Sequence, residues 1–306
     1  MTKRPRVTVI GSLNMDISVT VPSLPGPGMT VLGSAARFSP GGKGANQAVA
    51  AARLGAEVRM VGCVGDDAFG QQLLANLHAE HVSTDHVRVI QGTPTGLAMI
   101  AVDHAGENLI IVAPGANHEV TPTDVAAAQP TGVLVISAEI PVPAITAAVA
   151  HQPGVLRILN LAPVPPDTAA ILADRPDWLV VNESEAAALL NDPGRSRSAA
   201  QAAAALVAQG VRHAVVTAGA HGAAVAGPEG TNAIPGFKVQ AVDTVGAGDT
   251  FVGALAVALA AGVPAPDAVR AAAAAGAAAV TRQGAQAAMP RPADIFVTTG
   301  LKWPEI

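Results

Sequence analysis

Short, continuously apolar runs recur along this chain, separated by stretches with the length and pattern of helices. Val7–Ile10, Val58–Val64, Val133–Ile136, Leu156–Asn160, Trp178–Val181 and Ala214–Thr217 read as strands. Between and after them, Gly44–Leu54, Ala68–Glu80, Pro143–Ala150, Ser184–Leu190, Ser198–Gln209, Asp249–Ala261 and Ala265–Thr281 read as helices. Gly55 and Gly210 stand where helix stops belong. A strand that is apolar on both faces must be covered on both, which is the condition of a parallel sheet between helical layers. The expected fold is therefore α/β, a doubly wound, mostly parallel sheet with helices on both faces.

Two regions break this alternation. Residues 17–38 and 95–112 read as alternating strands joined by turn residues, Pro25-Gly26-Pro27-Gly28 and Asp103-His104-Ala105-Gly106. Neither contains a crossover helix. They are expected to pair as a small sheet set apart from the main one, a lid over the carboxyl edge where doubly wound folds bind ligands. Two surface hairpins without function would look the same in sequence. No linker divides the chain, so one α/β domain over residues 1–306 is expected, with a lid formed by about 15–38 and 95–112 inserted in it.

Composition excludes several function classes. A single cysteine, Cys63, rules out an internal disulfide and a cysteine-based metal site, and its apolar surroundings mark it as a buried, inert thiol. A net charge of −5, with no Tyr, two Trp and five Phe, argues against a nucleic-acid surface. The longest uncharged apolar runs, around Ala254–Val263 and Ala271–Val280, are too short to span a membrane. The basic start at Met1–Arg6 is followed by too short an apolar run for a signal peptide. A cytoplasmic protein is expected.

The most specific segment is Asp243-Thr244-Val245-Gly246-Ala247-Gly248-Asp249-Thr250-Phe251. An extended run, Lys238–Val242, is expected to meet a Gly-Ala-Gly turn that opens into an apolar helix. The free N–H groups of the helix start and the helix dipole suit an anion such as phosphate. A carboxylate at that place repels a bound anion, but makes sense as a base acting on a nucleophile beside a phosphoryl group in transfer. Alone, Asp249 reads equally well as a plain helix cap.

Two further motifs support the chemistry. Gly41-Gly42-Lys43-Gly44-Ala45-Asn46-Gln47-Ala48 is another glycine-rich helix entry, carrying a cationic donor and an amide that both donates and accepts. The G-x-x-x-x-G-K-[ST] phosphate loop is absent, since Lys43 lies between glycines with no Ser or Thr after it. In Gly11-Ser12-Leu13-Asn14-Met15-Asp16, Asn14 and Asp16 share a side by their spacing of two and can both reach one polyhydroxylated ligand.

In this order and spacing, the three motifs resemble the ribokinase-type carbohydrate kinases, over nearly the whole chain from Val9 to Pro290. The run Ala279-Val280-Thr281-Arg282-Gln283-Gly284-Ala285-Gln286 is similar to that family too. The resemblance implies ATP-dependent phosphorylation of the primary hydroxyl of a pentose, D-ribose first among them. Asp249 would be the general base, and the amides of Gly246, Ala247 and Gly248 the anion hole. Sugar contacts would come from Asn14, Asp16, Gly42, Lys43, Asn46, Glu139 and Asp249. The nucleotide would meet Asn182, Thr217, Gly219, Ala220, His221, Gly222 and Gly248.

Magnesium would be ordered through water by Glu185, although Asn182-x-x-Glu185 is also a capping-box pattern. Potassium would lie among oxygens of Asp243, Val245, Ala279, Arg282 and Gly284, mostly backbone. Here the chain departs from the family at Ala288, where a serine hydroxyl is usual, and at Ala273, where a polar adenine contact is usual. A homodimer through the lid is implied as well. The rival readings are a nucleoside kinase, with Met15 and Phe38 stacking on a base, and a non-catalytic sugar-binding regulator.

Overall fold

A computed structural model describes residues 4–150 and 152–304, so the basic Met1–Lys3 lies outside the described residues. The main sheet has nine strands, and its parallel core forms from the apolar runs. In chain order it contains β1 (Arg6–Ile10), β4 (Glu57–Gly65), β5 (Val82–Ile90), β8 (Gly132–Ser137), β9 (Val155–Asn160), β10 (Trp178–Asn182), β11 (His213–Thr217), β12 (Gly222–Gly227) and β13 (Gly230–Pro235). Their spatial order is β13-β12-β11-β10-β9-β8-β1-β4-β5. The chain builds outward from β1 to β5, then returns to β8 on the other side of β1. Strand order thus reverses between β1 and β8, the place where such sheets open a ligand crevice.

Two apolar cores flank the sheet. Helices α1 (Lys43–Arg53), α8 (Ala247–Ala260) and α9 (Ala265–Ala279) supply one, together with Leu73 and Leu77 of α2 (Ala68–Ala79) and Ile295 of α10 (Pro292–Thr299). The other is formed by α3 (Pro122–Ala128), α4 (Val142–Val149), α5 (Thr168–Leu172), α6 (Glu183–Leu189) and α7 (Ala199–Ala208). Much of the first core is alanine, with Ala50, Ala254 and Ala258 fully buried. Small side chains let α8 pack closely between α1 and α9; α1 and α8 lie over the β1–β8 reversal, and α9 over β12 and β13. No helix among the described residues is long and apolar enough to cross a membrane.

The small sheet forms as expected from two separated regions. Its strands are β2 (Asn14–Val21), β3 (Arg37–Gly41), β6 (Gly96–Asp103) and β7 (Asn108–Ala113), in the order β3-β2-β6-β7. Residues 22–36, expected to be strand-like in part, contain no strand. β2 begins at Asn14 and β3 ends at Gly41, so two of the site motifs are built into this sheet. Its strands pair directly, with Asn14 opposite both Gly41 and Gly96.

Other differences from the sequence reading have local causes. Lys238–Val242 makes no strand. The last strand ends at Pro235, and Val242 and Asp243 instead donate their backbone N–H groups to Val280 O. The antiparallel strand β12 is buried but mostly Gly and Ala, and the edge strands β13 and β5 are largely polar or exposed, so none has the branched apolar run of the other strands.

Candidate active site

The carboxyl ends of five neighbouring strands lay out the site. Ser12–Asn14 follows β1, Glu139 follows β8, Asn160 ends β9, Asn182 ends β10 and Thr217 ends β11. A parallel sheet sends all these ends to one edge, which is why residues remote in sequence converge.

At the centre stands Asp249, in the first turn of α8 and only 8% exposed. Asn46 Nδ2 donates to its Oδ2 at 2.8 Å and Gln47 Nε2 to its Oδ1 at 3.3 Å, both from α1. Burial pushes the Asp249 pKa up, while Lys43 and the two amide hydrogen bonds pull it back toward the ionised form. Its two oxygens are thus oriented before any ligand arrives.

Beside it, the start of α8 is shaped by Gly246, which has φ 75° and forms the N-cap. A Cβ there would also press on Ala285, 3.0 Å from its Cα, so glycine is required on both counts. Among the described residues, the N–H groups of Gly246 and Gly248 have no protein partner, and the space beside Gly248 is open. Ala247 differs, because its N–H donates to Thr244 O at 3.2 Å. Of the three amides expected in the anion hole, two are free.

The sugar-side candidates converge on the same region. Lys43 opens α1, and its pKa is raised chiefly by Asp249, with Glu139, Glu185 and Asp16 adding to the effect against burial. Glu139 Oε2 accepts from Ser12 Oγ at 2.6 Å and from Lys43 N at 3.4 Å. Asp16 lies against Gly41, where any Cβ would collide with its carboxylate. Burial, then Glu139 and Asp249, push the Asp16 pKa up to about 7, against the pull of Lys43. Asn14 Oδ1 accepts from Asn117 Nδ2 at 2.8 Å, which leaves its own amide N–H groups for other partners.

The remaining candidates divide between two adjoining cavities. One, of about 230 Å³, is lined by Lys43, Asn182, Glu185, Gly246, Gly248 and Asp249 among others. Asn182 and Glu185 do form a reciprocal capping box, Glu185 N to Asn182 Oδ1 at 2.8 Å and Asn182 N to Glu185 Oε2 at 2.7 Å. Glu185 Oε1 takes no hydrogen bond among the described residues, so one oxygen fits the water-mediated role magnesium asks of it. The other cavity, of about 270 Å³, is walled by Thr217, Gly219, Ala220, Gly222, Phe237 and Ala273 among others. It is an apolar slot, with Phe237 and Phe251 among small aliphatic residues, suited to a flat base. His221 is exposed and is not part of that wall.

The proposed potassium ligands also lie together. Asp243 Oδ1 accepts from Val245 N at 3.0 Å and Oδ2 from Gly284 N at 2.8 Å, tying the two loops into one oxygen-rich turn. The Arg282 side chain pairs with Asp294 at 2.6 Å, which leaves its backbone oxygen as the donor. Ala279 O accepts from Arg282 N, and Ala288 is buried without a hydroxyl. Hard oxygen donors with one carboxylate suit a monovalent cation, and Ala288 supplies no donor to it.

Sequence reasoning missed Gln47, Asn160, Asn117 and Gln286. Asn160 Oδ1 accepts from Gln47 Nε2 at 3.0 Å and Asn160 Nδ2 donates to Val180 O, steadying the Gln47 amide. Asn160 was findable in principle, since it ends a strand at the ligand edge. Gln47 and Gln286 stand inside motifs already singled out, which did not mark them apart from their neighbours, and Asn117 carries no local signal.

Comparison with known proteins defines the class. The family model described as pfkB family carbohydrate kinase matches residues 4–292, and the chain belongs to that family. It is a sugar kinase. Within the family its likeness is to ribokinases: it is 39% identical to the ribokinase of Schizosaccharomyces pombe, over 97% of this chain and 98% of that protein. It is 33% identical to the deoxyribokinase of Salmonella typhimurium, over 82% of this chain and 84% of that one. Among solved structures, ribokinase from Thermotoga maritima superposes with TM-score 0.87 at 34% identity, covering 95% and 98% of the two chains. Arabidopsis thaliana ribokinase, complexed with ribose and ATP, gives TM-score 0.83 at 31% identity, covering 96% and 98%.

Proposed function

We propose that this chain transfers the γ-phosphoryl group of ATP to the primary hydroxyl of D-ribose, forming D-ribose 5-phosphate. The observation that carries this reading is the buried Asp249 carboxylate, held by Asn46 and Gln47 next to the free N–H groups of Gly246 and Gly248. A base and an anion site side by side are what in-line transfer to an alcohol requires.

Asp249 accepts the hydroxyl proton as the sugar oxygen attacks, and the Gly246 and Gly248 amides meet the charge developing on the phosphoryl group. Lys43 adds a positive charge to the same space. Asn14, Asp16, Asn46 and Glu139 orient the sugar, with Gly42 giving it close access to the backbone. Asn182 faces the phosphates, and Thr217, Gly219, Ala220 and Gly222 wall the nucleotide slot. Magnesium, ordered by Glu185 through water, would neutralise the phosphate oxygens. Potassium in the Asp243–Gly284 turn would stiffen the loop that leads into α8. The small sheet serves as a lid. Its exposed apolar strand Asn108–Ala113, with Ile110 and Ile111 each 52% exposed, is the face on which a second copy docks.

A nucleoside substrate is less well supported. Met15, one of its two expected base-stacking side chains, is buried at 1% exposure. The other, Phe38, stacks on Phe69 with ring centroids 6.0 Å apart.

The test is ATP-coupled turnover on D-ribose, 2-deoxyribose, fructose and adenosine, with Asp249→Asn alongside. Ribose is expected to be preferred, and Asp249→Asn to lower kcat by about 10²–10⁴-fold with the melting temperature preserved. Preference for another substrate would reassign the specificity, and an active Asp249→Asn variant would remove the base.

A further inference from the structure

A row of side-chain amides runs from the outer helix α2 to Asp249. Asn76 Nδ2 donates to Gln286 Oε1 at 2.7 Å, Gln286 Nε2 donates to Asn46 Oδ1 at 3.0 Å, and Asn46 Nδ2 donates to Asp249 Oδ2 at 2.8 Å. Every link points the same way, an NH2 group to the next side-chain oxygen, the last being the Asp249 carboxylate. Gln286 and Asn46 are 6% and 5% exposed, so water does not substitute freely for either partner.

An amide has two ends of opposite character. If Asn46 rotated by half a turn, its carbonyl would face the Asp249 carboxylate, oxygen against oxygen. The donor that meets Asn46 Oδ1, and so opposes this rotation, is Gln286. Gln286 is itself fixed at both ends. Its side-chain oxygen is taken by Asn76, and its backbone oxygen accepts from Arg53 Nη1 at 2.6 Å. Arg53 in turn bonds Met289 O at 2.9 Å and makes a two-pronged pair with Glu80, at 2.9 and 2.5 Å. Three elements therefore brace one amide.

We propose that Gln286 is a positioning residue for phosphoryl transfer, setting the Asn46 amide so that an N–H group faces the reactive oxygen of Asp249. The proposal rests on Asp249 being the base. Gln286 lines neither of the two cavities, and its effect passes through Asn46. Losing the Asn46 hydrogen bond also removes one of the influences holding Asp249 ionised, in a site where Lys43 favours the ionised form and Glu139, Asp16 and Glu185 crowd it with like charge.

The experiment is a double-mutant cycle on steady-state kinetics, using Gln286→Met, Asn46→Ala and both together. Gln286→Met keeps length and burial but lacks the donor. Its kcat is expected to fall about tenfold or more, as for loss of a hydrogen bond to a charged group. KM for ATP should stay within about twofold and the fold should be intact by circular dichroism. The acid limb of its kcat–pH profile should move to higher pH.

In the Asn46→Ala background, Gln286→Met is expected to cost nothing further. Gln286→Glu, whose acceptor would pull the Asn46 amide round, is expected to be the more damaging single change. Unchanged kcat in Gln286→Met, or an equal loss in both backgrounds, would overturn the proposal. An active Asp249→Asn control would overturn the base assignment instead, so the two failures are distinguishable.

Discussion

At the scale of single residues, the site concentrates acid groups. Asp16, Glu139, Glu185 and Asp249 surround one half-buried lysine, Lys43. This arrangement costs stability, and Asp16 shows the sign. Its folded pKa is about 7 against an ordinary value of 3.8, so between those values the folded chain holds a proton that the unfolded chain has released. Stability therefore falls as pH rises through that window and stays lowered above it. Asp16→Asn is expected to raise the melting temperature by a few degrees at pH 8, with the gain vanishing near pH 4, while ribose turnover falls. Thermal melts across pH check this.

The residue roles were unevenly legible in sequence. Asn14, Asp16, Lys43, Asn46 and Asp249 announce themselves through glycine turns and spacing within single motifs. Gln286 lies 240 positions from Asn46, and nothing in either neighbourhood indicates the other. Only the packing of a turn against α1 creates that pairing.

Elements were legible where their chemistry is one-sided. The buried parallel strands declare themselves because each is apolar on both faces. The edge strand β5 is Val82-Ser83-Thr84-Asp85-His86-Val87-Arg88-Val89-Ile90, polar because one side has no neighbour. The β12–β13 hairpin is mostly Gly and Ala, with Val225, Thr231 and Ile234 its only β-branched residues, so its strand signal is weak. Asn182–Glu185 shows one pattern doing two things, because the capping box that starts α6 also places both residues in the lining of the cavity beside Asp249. Asn182→Ala is expected to lower stability by about 1 kcal/mol and to raise KM for ATP. Denaturant melts and ATP titrations measure the two effects. A change in stability alone would reduce Asn182 to a cap.

For the whole molecule, the proposed dimer turns on the small sheet. A strand as exposed and apolar as Asn108–Ala113, at the edge of a sheet, is poorly suited to standing free in water. Light scattering is expected to show a mass of twice 30.3 kDa, and Ile110→Lys to return it to the monomer. A monomeric parent chain would assign the strand another partner.

The same sheet bears on how ATP is protected from water. Asn14 and Asp16 lie on β2, a strand of the small sheet, while Asp249 belongs to the helices over the main sheet. Asn117 pins the point of departure by bonding Leu13 N, Leu13 O and Asn14 Oδ1 together. A sugar held by Asn14 and Asp16, as proposed above, would thus be held by the small sheet itself, making recognition and enclosure a single movement. A molecule that fails to satisfy those two side chains would leave the cleft open and wet, with no alcohol aligned on the base. Thrift with nucleotide would then need no separate gate, because the wrong guest would never close the door behind it.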